Sequence, residues 1–389
     1  MPARSRRSDA ALIFIVLLVG LSAIWLVGPL RGLGSPPATD QSAEPGGPTM
    51  GPASDAPLTS AEPAPSVPTA TGAEGVTYHL APDGSDSDSG SDEDPWSTLE
   101  HAAGQLQPGD TLLIANGTYR GQGVDWQTSG EAGRPITIRA APGARPVFDG
   151  EGRGHFLVFR GGAGYLALDG LTVTGYDIED DGIIVVMDGA HDISFERLTM
   201  TGNRGMDDRS HLIYLGAPDV HDIVIAENVL EGIPGGAVHL YHAPNAARVA
   251  IRDNILRDNR WGVIVTSEAE DVTIEHNTFV DNEVGVEVWD AVRVSIVENI
   301  IVADGHQVAI RLAEPIALVE DRNLFDIDGP PFVIGGDEVG PDTWRKTIGQ
   351  GSTSLIEDAG LDEDLRPTAG SPAIGAALDG GDLGTRVFP

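Results

Sequence analysis

The chain has 389 residues, with 59 Asp and Glu against 24 Lys and Arg, a formal net charge of −35, and no cysteine. Such a balance repels nucleic acid and other polyanions and keeps the protein strongly hydrated. The lack of cysteine excludes a disulfide scaffold, thiolate metal sites and a Cys nucleophile, but not export.

Arg4, Arg6 and Arg7 precede an apolar run from Ala10 to Val27, closed by Gly28-Pro29-Leu30-Arg31. A run of about 18 apolar residues is long enough to span a bilayer, and the basic cluster places the N-terminus in the cytoplasm. Its exit, Trp25-Leu26-Val27, is bulkier than the small residues that mark a cleaved signal peptide. Residues 1–31 therefore read as a cytoplasmic stub and retained anchor, predicting a single-pass protein of the cell membrane with its C-terminal part outside. Residues 32–75 are rich in Pro, Ala, Ser, Thr and Gly, with too little apolar surface to offset ordering, and read as a disordered linker. Residues 76–389 hold 20 Lys and Arg against 53 Asp and Glu, a net −33, so the acidity belongs to the folded part.

Within that part the sequence repeats itself. An alternating apolar run ending in Asn recurs as Ile223-Val224-Ile225-Ala226-Glu227-Asn228, then Val249 to Asn254, Val272 to Asn277 and Val294 to Asn299, with a degraded copy ending at Asn323. Gly170 and Arg197 stand at the expected matching place in earlier units. Each unit holds short period-two strands separated by turn residues and cannot close a core alone. Stacked, the units predict an all-β parallel β-helix over residues 76–389, with strands of successive coils about 4.8 Å apart. The asparagines would pile up at one corner, each adopting the left-handed turn and bonding to the next.

A second strand precedes each Asn strand, at Gly182–Val185, Leu212–Leu215, Ala237–Leu240, Gly262–Val265, Gly285–Val288 and Ala309–Leu312. Alternation predicts a vertical file of exposed side chains: Ile184, Tyr214, His239, Ile264, Glu287 and Arg311. Tyr241, Thr266 and Trp289 form a parallel file two residues on. Asp207, Asp208, Arg209 and His211 lead into the Tyr214 strand, and His242 follows Tyr241.

The opening of this region, Tyr78-His79-Leu80-Ala81-Pro82-Asp83-Gly84, then Pro95-Trp96-Ser97-Thr98-Leu99, Gln107-Pro108-Gly109-Asp110-Thr111 and Asn116-Gly117-Thr118-Tyr119, resembles the pectate-lyase-like right-handed β-helix superfamily. The likeness is to its alginate-lyase and chondroitinase-B-like branch. Arg134-Pro135-Ile136-Thr137-Ile138 with Pro146 to Gly150 is similar to the first full coil, and Gly370 to Gly375 with Asp382-Leu383-Gly384 to the terminal segment. The resemblance implies right-handed coils and a short N-terminal capping helix within residues 93–106.

It also implies carbohydrate chemistry, but not which kind. Lyases of that branch use a Lys base and an Arg, often with Ca²⁺. Here Lys346 is the only lysine and lies beyond the repeats. Elimination at a uronate needs a base, an acid and a cation for the carboxylate. His239, Tyr214 and Arg311, with His211 in support, are the candidates for catalysis. Tyr241, Trp289, Glu287, His242 and Arg209 are the candidates for substrate binding, and Asp207 and Asp208 for a metal. No cofactor is required by the sequence, and Ca²⁺ is the one considered. The Asp83–Asp92 run lacks the twelve-residue calcium-loop pattern and reads as an acidic loop. Two readings stay open: a surface polysaccharide lyase acting by β-elimination, and a non-catalytic protein that binds glycans or organises the envelope. Both predict a monomer whose partners are a polysaccharide and the membrane, not nucleic acid.

Overall fold

A computed structural model describes residues 64–71, 75–216, 218–241, 247–266, 269–303, 305–314, 316 and 318–387. The apolar run Ala10–Val27 and most of the linker lie outside these residues. Among the described residues no helix is long and apolar enough to cross a membrane. Backbone bonds from Thr71 to Gly133 (2.9 Å) and from Gly75 to Gly109 (3.1 Å) join the chain to the folded part just ahead of the first strand.

The folded part is an all-β right-handed parallel solenoid. Three sheets of ten strands each run its length. Each central coil gives one strand to each sheet in turn, as in His221–Ala226, Val229–Glu231 and Gly236–Tyr241. We call these sheets 1, 2 and 3. Successive coils pair in parallel and in register, so that Ile193, Ile223, Val249, Val272, Val294 and Leu318 form one column in sheet 1. Ile213, Val238, Val263, Val286 and Ile310 do the same in sheet 3. These columns are buried and make one continuous core. β-Branched side chains suit it, because a pleated strand packs them against identical neighbours above and below.

The corner between sheets 1 and 2 holds the asparagine column. Asn228, Asn254, Asn277 and Asn299 each donate from Nδ2 to Oδ1 of the Asn one coil on, at 2.9, 2.9, 3.1 and 3.0 Å, the last bond reaching Asn323. The same Oδ1 atoms accept from the backbone N–H of the Asn one coil earlier, as Asn277 does from Asn254 at 3.0 Å. The left-handed backbone belongs to the residue before each Asn: Glu227, Asp253, His276, Glu298 and Arg322 all have φ between 52° and 60°. The expectation that Asn itself takes that conformation is corrected, since the Asn side chain instead closes the turn its neighbour makes. The expected match of Gly170 and Arg197 to the asparagines is off by one for the same reason. Both have positive φ, and Leu198, whose N–H donates to Asn228 Oδ1 at 2.8 Å, occupies the Asn place.

A second, shorter column follows sheet 2. Asn259 Nδ2 donates to Asn282 Oδ1 at 3.1 Å, and Ile233 N–H donates to Asn259 Oδ1 at 3.2 Å. Sequence reading overlooked it, although Asp258-Asn259 and Asp281-Asn282 repeat the spacing of the first column.

A helix, Leu99–Gln105 (α1), lies inside the range 93–106, with Thr98 Oγ1 accepting from His101 N–H at 3.1 Å. Asp86, from the acidic run, accepts from Ser97 N–H and Thr98 N–H at 3.0 Å each, so its carboxylate braces this turn. At the other end a second helix, Pro341–Ile348 (α2), carries Lys346 and stacks Trp344 on Phe332 with ring centroids 4.3 Å apart. The terminal segment then folds back over sheet 2. Ala359, Ala373, Ala377 and Leu383 pack on Ile300 and Leu324, and Thr385 N–H donates to Thr278 Oγ1 at 3.0 Å.

Asn277→Ala would leave Asn254 N–H buried without an acceptor and one hydrogen of Asn254 Nδ2 unpaired, the other still reaching Ile225 O. It should lower stability by about 3 kcal/mol, read as a drop in the urea unfolding midpoint with unchanged slope.

Candidate functional site

The outward file of sheet 3 begins one residue later than expected in its first coil. Val185 pairs with Tyr214, and Ile184 faces the core beside Ile213. The file then runs Tyr214, His239, Ile264, Glu287 and Arg311 in consecutive register. It is not an open strip as the alternation predicted: Glu287 is 3% exposed, and Ile264 is buried. Trp261, Trp289 and Arg311 crowd round Glu287 there, which strand periodicity cannot reveal.

At one end four rings converge. His211 stands at the start of its strand, against the Gly235-Gly236 turn of the next coil. A Cβ on Gly235 would lie 2.3 Å from the backbone oxygen of Ser210, so glycine is what lets that backbone approach. Gly236 N–H donates to His211 Nδ1 at 2.8 Å, and His211 Nε2 lies 2.8 Å from His239 Nδ1. Tyr214 stands edge-on to His239 with centroids 5.5 Å apart, and Tyr241 lies 5.4 Å from His239 and 6.1 Å from Tyr214.

These contacts decide the tautomers. His211 Nδ1 must offer a lone pair to Gly236 N–H, so neutral His211 carries its proton on Nε2. That N–H donates to His239 Nδ1, which leaves the His239 proton on Nε2. If His239 carried it on Nδ1 instead, His211 would need two bare nitrogens. His239 Nε2 is buried and has no hydrogen-bond partner among the described residues.

Burial pushes His211 down to about 4 and His239, which also faces His211, down to about 3. Asp207 pulls His211 the other way. A proton on His211 Nδ1 would point at the Gly236 N–H, which favours the neutral ring further. Burial pushes the Tyr214 phenol up, and Asp181, Tyr241 and Asp180 push it the same way, so it stays protonated.

The other end is built round Glu287. Its Oε1 accepts from Trp289 Nε1 at 2.6 Å, and its Oε2 accepts from Arg311 Nη1 at 3.0 Å and from Trp261 Nε1. Three donors on one buried carboxylate fix the two indoles and neutralise the acid. Arg311 is thereby committed to Glu287, and it sits three strand spacings, about 14 Å, from His239. The structure therefore brings His211, Tyr214, His239 and Tyr241 together and keeps Arg311, Glu287 and Trp289 apart from them. Trp261, which sequence reading missed, joins the second group. Its only sequence signal was an aromatic residue at the start of a sheet 3 strand.

Arg209 donates from Nη1 to Asp180 at 3.1 Å and from Nη2 to Asp207 at 3.1 Å, while Asp208 pairs with Arg260 at 3.1 Å. These rim carboxylates, proposed from sequence for a metal, are held by arginines. His242 lies outside the described residues. The trio that comes close enough to share a cation is elsewhere, at the edge of sheet 1: Asp192, His221 and Asp222. It fits a cation poorly. His221 Nδ1 is 2.7 Å from Asp222 Oδ2, and Arg248 bonds both Asp222 oxygens, through Nε at 2.6 Å and through Nη2, so a guanidinium already holds the cation's place.

Family descriptions match two overlapping stretches. "Pel9A-like, right handed beta helix region" covers residues 78–210, and "Periplasmic copper-binding protein (NosD)" covers residues 161–320. The uncharacterized protein YwoF of Bacillus subtilis is 38% identical over 77 residues, 20% of this chain and 16% of its own length. Pectate lyase L of Dickeya dadantii is 33% identical over 79 residues, 18% of this chain and 19% of its own. The chain thus spans less than one-fifth of these relatives. The crystal structure of pectate lyase Pel9A overlays 82% of this chain and 97% of its own at 15% identity and a TM-score of 0.50, a likeness of fold.

Two measurements test this account. Saturating Cu²⁺, Zn²⁺ or Ca²⁺ should leave the thermal midpoint of the protein unchanged; a rise abolished by His221→Ala would mean that the trio does bind a cation. The two histidines make the second test. Their folded values lie below the usual 6.5, so the stability gained by keeping them neutral is complete above about pH 6.5. It is lost as pH falls toward 4 and 3, by up to about 1.4 kcal/mol per pH unit for each ring. The paired variant His211→Phe, His239→Leu should lose less stability than the parent between about pH 7 and about pH 5, by up to roughly 4 kcal/mol in urea titrations. Equal losses would contradict the burial of both rings.

Proposed function

We propose that this chain, whose described residues form a right-handed parallel β-helix, is a membrane-anchored surface protein that binds a neutral polysaccharide along sheet 3. One observation carries the reading. Tyr241 and Trp289, 40% and 50% exposed, stand on one face of sheet 3 in coils two apart. Their separation along the axis is about 10 Å, so an extended glycan could stack alternate sugar rings on them. Glu287 holds the Trp289 indole by hydrogen bond, which reduces the ordering cost of binding.

Charge supports a neutral ligand. The region from residue 76 onward carries −33, and Asp180 and Asp181 lie close enough to Tyr214 to act on its phenol. A uronate would be repelled there. Arg311, the cation that elimination would call on, is paired with Glu287. The apolar run Ala10–Val27 behind a basic cluster supports attachment to the membrane with the solenoid outside.

Elimination at a uronate is the second reading, favoured by the local similarity to Pectate lyase L. Calorimetric titration with neutral hexasaccharides (cello-, xylo- and manno-series) and with hexagalacturonate and hexamannuronate separates the two. We expect at least one neutral series to bind more tightly than either uronate, and Trp289→Ala and Tyr241→Ala each to weaken it about tenfold. Release of unsaturated ends, followed by ultraviolet absorbance, would establish the lyase instead; no binding to any probe would end the glycan reading.

A further inference from the structure

The paired histidines carry a sharper statement about that same face, and it rests on the glycan-binding reading. We infer that His239 Nε2–H is a fixed hydrogen-bond donor that recognises an acceptor oxygen, hydroxyl or ring oxygen, of a neutral sugar. His211 acts as the positioning residue that sets its tautomer.

A backbone N–H, that of Gly236, cannot change its role, and it holds His211 Nδ1 as an acceptor at 2.8 Å. His211 must then donate from Nε2 to His239 Nδ1, also at 2.8 Å. Every other polar position on the two rings is satisfied, and the one left over is His239 Nε2–H, buried without a partner. A buried donor left unmade costs about 1–3 kcal/mol and calls for an explanation, and a ligand's acceptor oxygen supplies one. The Tyr214 and Tyr241 rings pack against the His239 ring and lie 6.1 Å from each other, aromatic surface beside the donor on which an apolar sugar face would stack.

The same relay excludes other uses of this nitrogen. A general base needs a lone pair, and His239 offers a hydrogen instead. A metal ligand at Nε2 would need the proton removed while His211 still donates to Nδ1, which leaves an imidazolate. What remains is donation, and it suits an acceptor oxygen and disfavours an ammonium group.

Imidazole ¹⁵N resonances of the full chain in detergent, at about pH 7, read the tautomer directly. The His239 ring should be neutral with its proton on Nε2, and a neutral hexasaccharide that binds should shift that proton downfield. His239→Phe should weaken the same ligand about tenfold, while His239→Gln, which keeps an N–H donor, should retain most of the affinity. His211→Leu should give a mixture of His239 tautomers and weaker binding, and His211→Gln should restore both. A proton on His239 Nδ1 in the parent overturns the inference whatever binds. If His239→Phe binds as tightly as the parent while Trp289→Ala does not, the inference fails and the glycan reading survives. If no neutral probe binds the parent, both fall.

Discussion

In-register parallel pairing of one coil on the next is the constraint from which the rest of this molecule follows. A coil of about two dozen residues has no interior of its own. Its aliphatic side chains become a core only when equivalent residues lie directly above and below. Register therefore has to be held at every step, since a slip of one residue would turn each strand's apolar face outward. The asparagine column at the corner of sheets 1 and 2 supplies that control. Each side chain bonds both the backbone and the side chain of a neighbouring coil, as Asn277 does with Asn254.

The candidate site is a by-product of the same stacking. Tyr214, His239 and Glu287 come from three separate coils and meet one face because sheet 3 keeps them in register. What differs from the core columns is that polar groups stack outward, where each must find a partner across the coil boundary. Glu287 does so fully, with two indoles and a guanidinium. The histidine pair does so in all but one position, His239 Nε2, on a ring packed against both Tyr214 and Tyr241. Where nearly every buried polar atom is paired, an unpaired one such as this is informative.

Arginines are distributed in a way that bears on chemistry. In so acidic a domain they act mainly as internal counterions: Arg209 bridges Asp180 and Asp207, and Arg260 bridges Asp208 and Glu283 while covering Trp261 at 4.3 Å. Arg248 and Arg311 serve Asp222 and Glu287 in the same manner. Residues that look like free cations or free carboxylates in a sequence are thus spent on each other, which weakens any scheme that needs them for a substrate carboxylate or a metal.

Much of the architecture was legible from residue order alone. The recurrence from Asn228 to Asn323 determined a stacked solenoid, its coil length, the aliphatic columns and the membership of the outward file from Tyr214 to Arg311, because these depend only on periodicity along the chain. The errors were local: Ile184 in place of Val185, and the left-handed turn assigned to Asn instead of the residue before it, both shifts of one position that pattern matching cannot resolve. Only the tertiary structure decided that His211 meets His239, that Glu287 is buried and saturated, and that Arg311 stands apart from the histidines. Those facts depend on which turns fold over the sheet and on the reach and orientation of individual side chains, quantities set by contacts between coils and carried by no single stretch of sequence.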